Sequence, residues 1–85
     1  MLVKEYEDRV FEVEEVRIVV RASPYLTIGD YVYARKYKGS NTISAWLETR
    51  VVHGVNGHEV EVIDGCGGTP RRNTRMDNLR ESYDH

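Results

Sequence analysis

A chain of 85 residues makes one domain and buries only roughly 60–65% of the surface its unfolded form exposes, so its core is just adequate. The lone Cys66 excludes an intrachain disulfide and a secreted, disulfide-stapled scaffold, and no run approaches the ~20 apolar residues of a membrane helix or the pattern of a signal peptide, so a cytoplasmic protein with no membrane partner is expected. The net charge of −2 hides a split: residues 1–34 carry 4 basic and 7 acidic side chains, residues 35–80 carry 8 basic and 5 acidic.

Residues 1–24 read as an N-terminal extension. Val3, Tyr6, Val10, Val13, Val16 and Val20 recur at three and four, which is one face of a helix. Val16, Ile18 and Val20 also alternate with Arg17 and Arg21, and β-branched residues favour strands. The apolar parity switches at Glu14-Glu15, so an extended reading needs a turn or bulge there. The expectation is a strand over 10–21, with a helical turn before it.

Ser23-Pro24 stops that segment. Gly29-Asp30 then turns into Tyr31-Val32-Tyr33-Ala34-Arg35, read as a strand with Val32 and Ala34 facing the core. Lys36 to Thr42 is a basic, Gly-, Ser- and Asn-containing loop. Ala45 to Val52 reads as a second strand, with Ala45, Leu47, Thr49 and Val51 on one face and Trp46, Glu48 and Arg50 on the other. Val55-Asn56-Gly57-His58 is the clearest local signal, a type I′ hairpin between two alternating strands whose two central turn residues need positive φ.

His58 to Asp64 is expected to be a third strand, burying Val60 and Val62 and exposing Glu59 and Glu61. Asp64 to Pro70 is a Gly-rich turn, and Arg71-Arg72-Asn73-Thr74-Arg75 is a basic run. Thr74 is placed to cap a short turn holding Met76 and Leu79. Ser82 to His85 reads as a loose tail.

The order Gly29-Asp30-x-Val32-x-Ala34, loop, Trp46-x-x-Thr49-x-Val51, turn, Val60-x-Val62-x-Asp64, then a basic stretch ending in Leu79, resembles a Tudor or SH3-like small β-barrel over residues 28–80. The resemblance implies a mainly β fold, a barrel of about five strands with an extra N-terminal strand or short helix. It also implies binding rather than chemistry: such barrels carry aromatic cages in which ring faces attract a cation. Trp46, Tyr33 and Tyr37 are the candidates, although no ring follows Asp64, where Gly65-Cys66-Gly67 stands.

Other chemistry is less well supported. His53, His58 and Cys66 lack the spacing of a zinc site, and Gly65-Cys66-Gly67-Gly68 lacks the Lys-Ser/Thr ending of a phosphate loop, so no metal or cofactor is expected. The expectation is a non-catalytic binding module. Its working surface would be a rim of Arg35, Lys36, Lys38, Arg50, Arg71, Arg72 and Arg75 with Tyr33, Tyr37 and Trp46, facing an acidic partner, protein or nucleic acid. A homodimer is possible on this reading. The alternative is an accessory or inhibitor protein of a phage or other mobile element that contacts a partner through its acidic N-terminal segment. A pore-forming small-barrel enzyme is the remote third option.

Overall fold

The computed structural model describes Met1–Asp84. It holds a 12-residue helix α1 (Val3–Glu14), strand β1 (Arg17–Val20), a short helix α2 (Ile43–Trp46), which continues as one π-helical turn (Leu47–Val51), strand β2 (Val60–Ile63) and helix α3 (Met76–Glu81). The strands pair antiparallel, Arg17 opposite Ile63 and Val20 opposite Val60. Two strands and three helices replace the expected five-stranded, mainly β barrel; the SH3- or Tudor-like architecture, its 28–80 barrel core included, is not what this chain forms.

Each departure has a local cause. In the N-terminal segment the three-and-four spacing prevails: Val3, Tyr6, Val10 and Val13 are all buried on one side of α1. The parity switch is the end of that helix, where Glu15 takes a left-handed φ of 61° and the chain re-emerges as β1. Residues 45–52 alternate for four residues, but Ile43, Trp46, Leu47 and Val51 sit at i, i+3, i+4 and i+8 and are the ones buried. Thr42 starts this helix by accepting the Ala45 amide on its side chain at 3.2 Å. Val52 N–H donates to the Leu47 carbonyl at 2.8 Å, the wider i→i+5 bond of the π turn.

Residues 29–35 form no regular element and join no ladder, and Val32, expected in the core, is 75% exposed. The Asn56-Gly57 turn does form, with φ of 52° and 81° and His58 N–H bonded to Val55 C=O at 3.0 Å. It joins the π turn to β2 rather than strand to strand. The tail is not loose as far as it is described: Tyr83 is half-buried, and its hydroxyl accepts from Arg17 N–H and donates to the Ile63 carbonyl at the end of the β ladder. His85 lies outside the described residues.

The core forms on one face of the sheet. Ile18, Val20 and Val62 point to it, and α1 adds its valines and Tyr6. Trp46, Leu47 and Val51 close it from the middle of the chain, and Met76 and Leu79 from α3.

Candidate interaction surface

Glu14 ends α1 with no exposed surface, and four donors converge on its carboxylate. Oε2 accepts from the Tyr31 hydroxyl at 2.5 Å and from Arg50 at 2.8 Å. Oε1 accepts from the Tyr37 backbone N–H and from Arg80, each at 2.8 Å. Arg80 also donates from Nε to the Glu14 carbonyl at 2.9 Å. A buried carboxylate is tolerable only when paired and fully hydrogen-bonded, and this one is both. The cluster ties α1, the 31–37 segment, the π turn and α3 together, which is why residues 31–38 hold their place without a ladder.

The same cluster absorbs the expected aromatic cage. Arg50 lies over the Tyr33 ring at 4.4 Å and the Tyr37 ring at 5.1 Å, so the cation these rings face belongs to the chain itself. Arg50 also donates to the Arg35 carbonyl at 2.6 Å. Trp46 is not a rim residue: it is fully buried, and its indole N–H donates to the Tyr31 hydroxyl at 3.0 Å. Burial, reinforced by the bond to Glu14, pushes the Tyr31 phenol pKa well above the ordinary tyrosine range.

The two basic loops do meet, although no barrel brings them together. Thr42 bridges Arg75 in an antiparallel pair. Ile43 N–H donates to Thr74 C=O at 2.9 Å and Ser44 N–H to Arg72 C=O at 3.0 Å; in return Met76 N–H donates to Asn41 C=O at 2.8 Å and Asp77 N–H to Gly39 C=O at 3.0 Å. Each helix therefore satisfies the first free amides of the other through the loop that precedes it. Arg75, not Thr74, is the N-cap of α3. Gly39 is needed here, because a Cβ would sit 2.9 Å from the Asp77 Cβ.

Among the expected rim residues, three groups separate. Arg75 is held by Asp77 at 2.6 Å and Lys36 by Glu15. Tyr33, Tyr37 and Trp46 face inward. Arg35, Lys38, Arg71 and Arg72 are exposed, and among the described residues none has an acidic partner. Glu14, Tyr31, Arg50 and Arg80, which organise the region, were not singled out from sequence as a group. The helical phase of Arg50 relative to Trp46 and Leu47 was the available signal.

Next to this region a cavity of about 150 Å³ is lined by Leu47, Val51, Val55, Val60, His58 and Arg72, among others. Among the described residues no group of three His, Cys, Asp or Glu side chains is placed to hold a metal ion, and no helix is long and apolar enough to cross a membrane. Cys66 is exposed, its amide bonded to the Asp64 carboxylate at 2.9 Å in a tight turn. Comparison with family models, curated proteins and solved structures found no match.

Proposed function

We propose that this is a non-catalytic interaction module whose joined loops, carrying Lys38, Arg71 and Arg72, hold an acidic segment of a partner protein. One observation carries the reading: the reciprocal backbone bonds between residues 39–44 and 72–77 hold Lys38 beside Arg71 and Arg72, and among the described residues these three exposed cations have no ion-pair partner. Uncompensated cations held on a fixed frame attract carboxylates and pay little ordering entropy in the backbone.

A protein partner fits better than single-stranded nucleic acid. Base stacking needs exposed ring faces, and Trp46 is buried while Tyr33 and Tyr37 cover Arg50. Contact through an acidic N-terminal segment is less favoured, because five of its six carboxylates are engaged within the chain and, among the described residues, only Asp8 is exposed without a partner. Glu5 caps α1, Glu7 accepts from Val20 N–H, Glu12 pairs with Arg9, Glu14 is buried and Glu15 pairs with Lys36. A reducing, cytoplasmic setting suits the exposed thiol of Cys66.

Fluorescence anisotropy with an oligoglutamate peptide and a single-stranded DNA of equal charge tests the reading. The peptide is expected to bind at low salt, to weaken as salt rises, and to lose about tenfold or more in affinity to Arg71→Glu/Arg72→Glu, at roughly 0.2–1 kcal/mol per exposed pair before repulsion is added. Unchanged peptide binding by that variant would remove the rim as the site, and tighter binding of the DNA would replace the protein partner with a nucleic acid.

A further inference from the structure

The two strands of the sheet are treated differently at their outer edges. In the antiparallel ladder Arg21 N–H donates to Glu59 C=O at 2.7 Å, so the odd-numbered residues of both strands bond across and the even-numbered ones point away. On β1 one of the two outward amides is covered: Val20 N–H donates to the Glu7 side chain from α1 at 2.9 Å. On β2 the outward groups are Val60 and Val62, and among the described residues their amides meet no backbone or side-chain acceptor outside the ladder. An open edge is a template for another strand.

The cavity of about 150 Å³ lies at the Val60 end of β2. Its wall is aliphatic, from Leu47, Val51, Val52, Val55 and Val60, and its other lining groups are His58, Glu59 and Arg72. A cavity of roughly this size lined by aliphatic side chains accepts a group as large as benzene. Neither Glu59 nor Arg72 has an ion-pair partner among the described residues, so the lining carries one free charge of each sign.

We infer that the outer edge of β2 takes a third strand from another protein: an extended segment with an aliphatic side chain for the cavity, flanked by a cation for Glu59 and a carboxylate for Arg72. Main-chain bonds to Val60 and Val62 supply affinity, and the cavity supplies selectivity for alternate side chains. A second copy of this chain is a poor occupant. Val60 opposite Val62 of the copy sets Glu61 against its own equivalent, and Val60 opposite itself sets Glu61 against Glu59; like charges directly opposite destabilise a pair. Val62 opposite itself would call on Asp64 N–H, which already donates to Gly68 C=O at 2.9 Å.

The edge is separate from the rim proposal except for Arg72, which both use, and a probe of zero net charge keeps the two apart. The probe is the blocked peptide Thr-Lys-Val-Glu-Val-Thr, read by hydrogen exchange and anisotropy on the full chain. Saturable binding is expected, with at least about tenfold slower exchange at the Val60 and Val62 amides. Methylating the two valine nitrogens of the peptide should abolish binding. Val60→Pro, which removes only an outward donor, should weaken it about tenfold or more. Arg71→Glu, which belongs to the rim, should leave it unchanged. No binding at millimolar peptide, unaltered exchange at both amides, or equal binding of the methylated peptide would overturn the inference. The methylated peptide decides the matter on the native chain should Val60→Pro fail to fold.

Discussion

Glu14 is the residue on which most of the tertiary structure converges, and its removal separates charge from packing. Glu14→Ala leaves the guanidinium groups of Arg50 and Arg80, both largely buried, without their counter-ion. Breaking a buried pair in this way typically costs about 3–5 kcal/mol, and urea unfolding should show a loss of that order. Glu14→Gln keeps the shape and two acceptor sites and should cost less. Tyr31 joins this carboxylate to the Trp46 indole, so Tyr31→Phe strands the indole donor and should cost about 1–3 kcal/mol. The tyrosines also set the alkaline limit. Burial raises the phenol pKa of Tyr6, with Tyr33 adding to it, and burial raises that of Tyr31, with Glu14 adding to it. A phenol whose pKa is higher folded than unfolded contributes in full below the unfolded value near 10. That contribution falls as pH climbs above it, by about 1.4 kcal/mol per pH unit for each group. Stability should thus hold to about pH 10 and then decline, and Tyr31→Phe should decline less steeply. An unchanged slope in that variant would show that the phenol does not carry the effect.

All three helices begin on the same device: a neighbouring loop offers carbonyls to their first amides. For α1 the loop is 24–26, with Val3 N–H on Leu26 C=O at 2.9 Å and Lys4 N–H on Pro24 C=O at 3.1 Å. For α2 and α3 the loops are each other's. Gly39→Ala crowds Asp77 where the two loops meet, and Thr42→Ala removes the side-chain cap, which is worth about 1 kcal/mol. Both variants should lower the unfolding midpoint, and Gly39→Ala should also speed hydrogen exchange at the Met76 and Asp77 amides. Loss of stability with those two amides unchanged would place the damage elsewhere. These contacts mark the limit of what the chain discloses in one dimension. The Asn56-Gly57 turn and the strand at Val60–Ile63 were legible, because turn chemistry and a short alternation act locally. The Ala45–Val51 stretch was misread: alternation over a few residues competes with helical spacing, and the burial of Ile43 and Trp46 by distant elements decides between them. Carbonyls donated by a loop thirty residues away leave no pattern beside the helix they cap.

Taken together, the chain builds one small core and locks it with the buried carboxylate of Glu14 between Arg50 and Arg80. Of the rim expected from sequence, the rings and Arg50 form an internal stack, Lys36 and Arg75 are paired, and Arg35, Lys38, Arg71 and Arg72 stay free. A shared basic rim, on the barrel reading, required the 35–42 and 68–75 loops to converge at one barrel end. A β-barrel end was expected, and two mutually capped helices perform the same joining. The interaction reading therefore rests on that junction and no longer on any barrel. Its most direct test is a titration of the ¹⁵N-labelled chain with the oligoglutamate peptide, followed amide by amide. Shifts concentrated at Lys38–Ser44 and Arg71–Asp77, fading as salt is raised, are expected. Shifts centred on α1, or none in those two loops at saturating peptide, would contradict it.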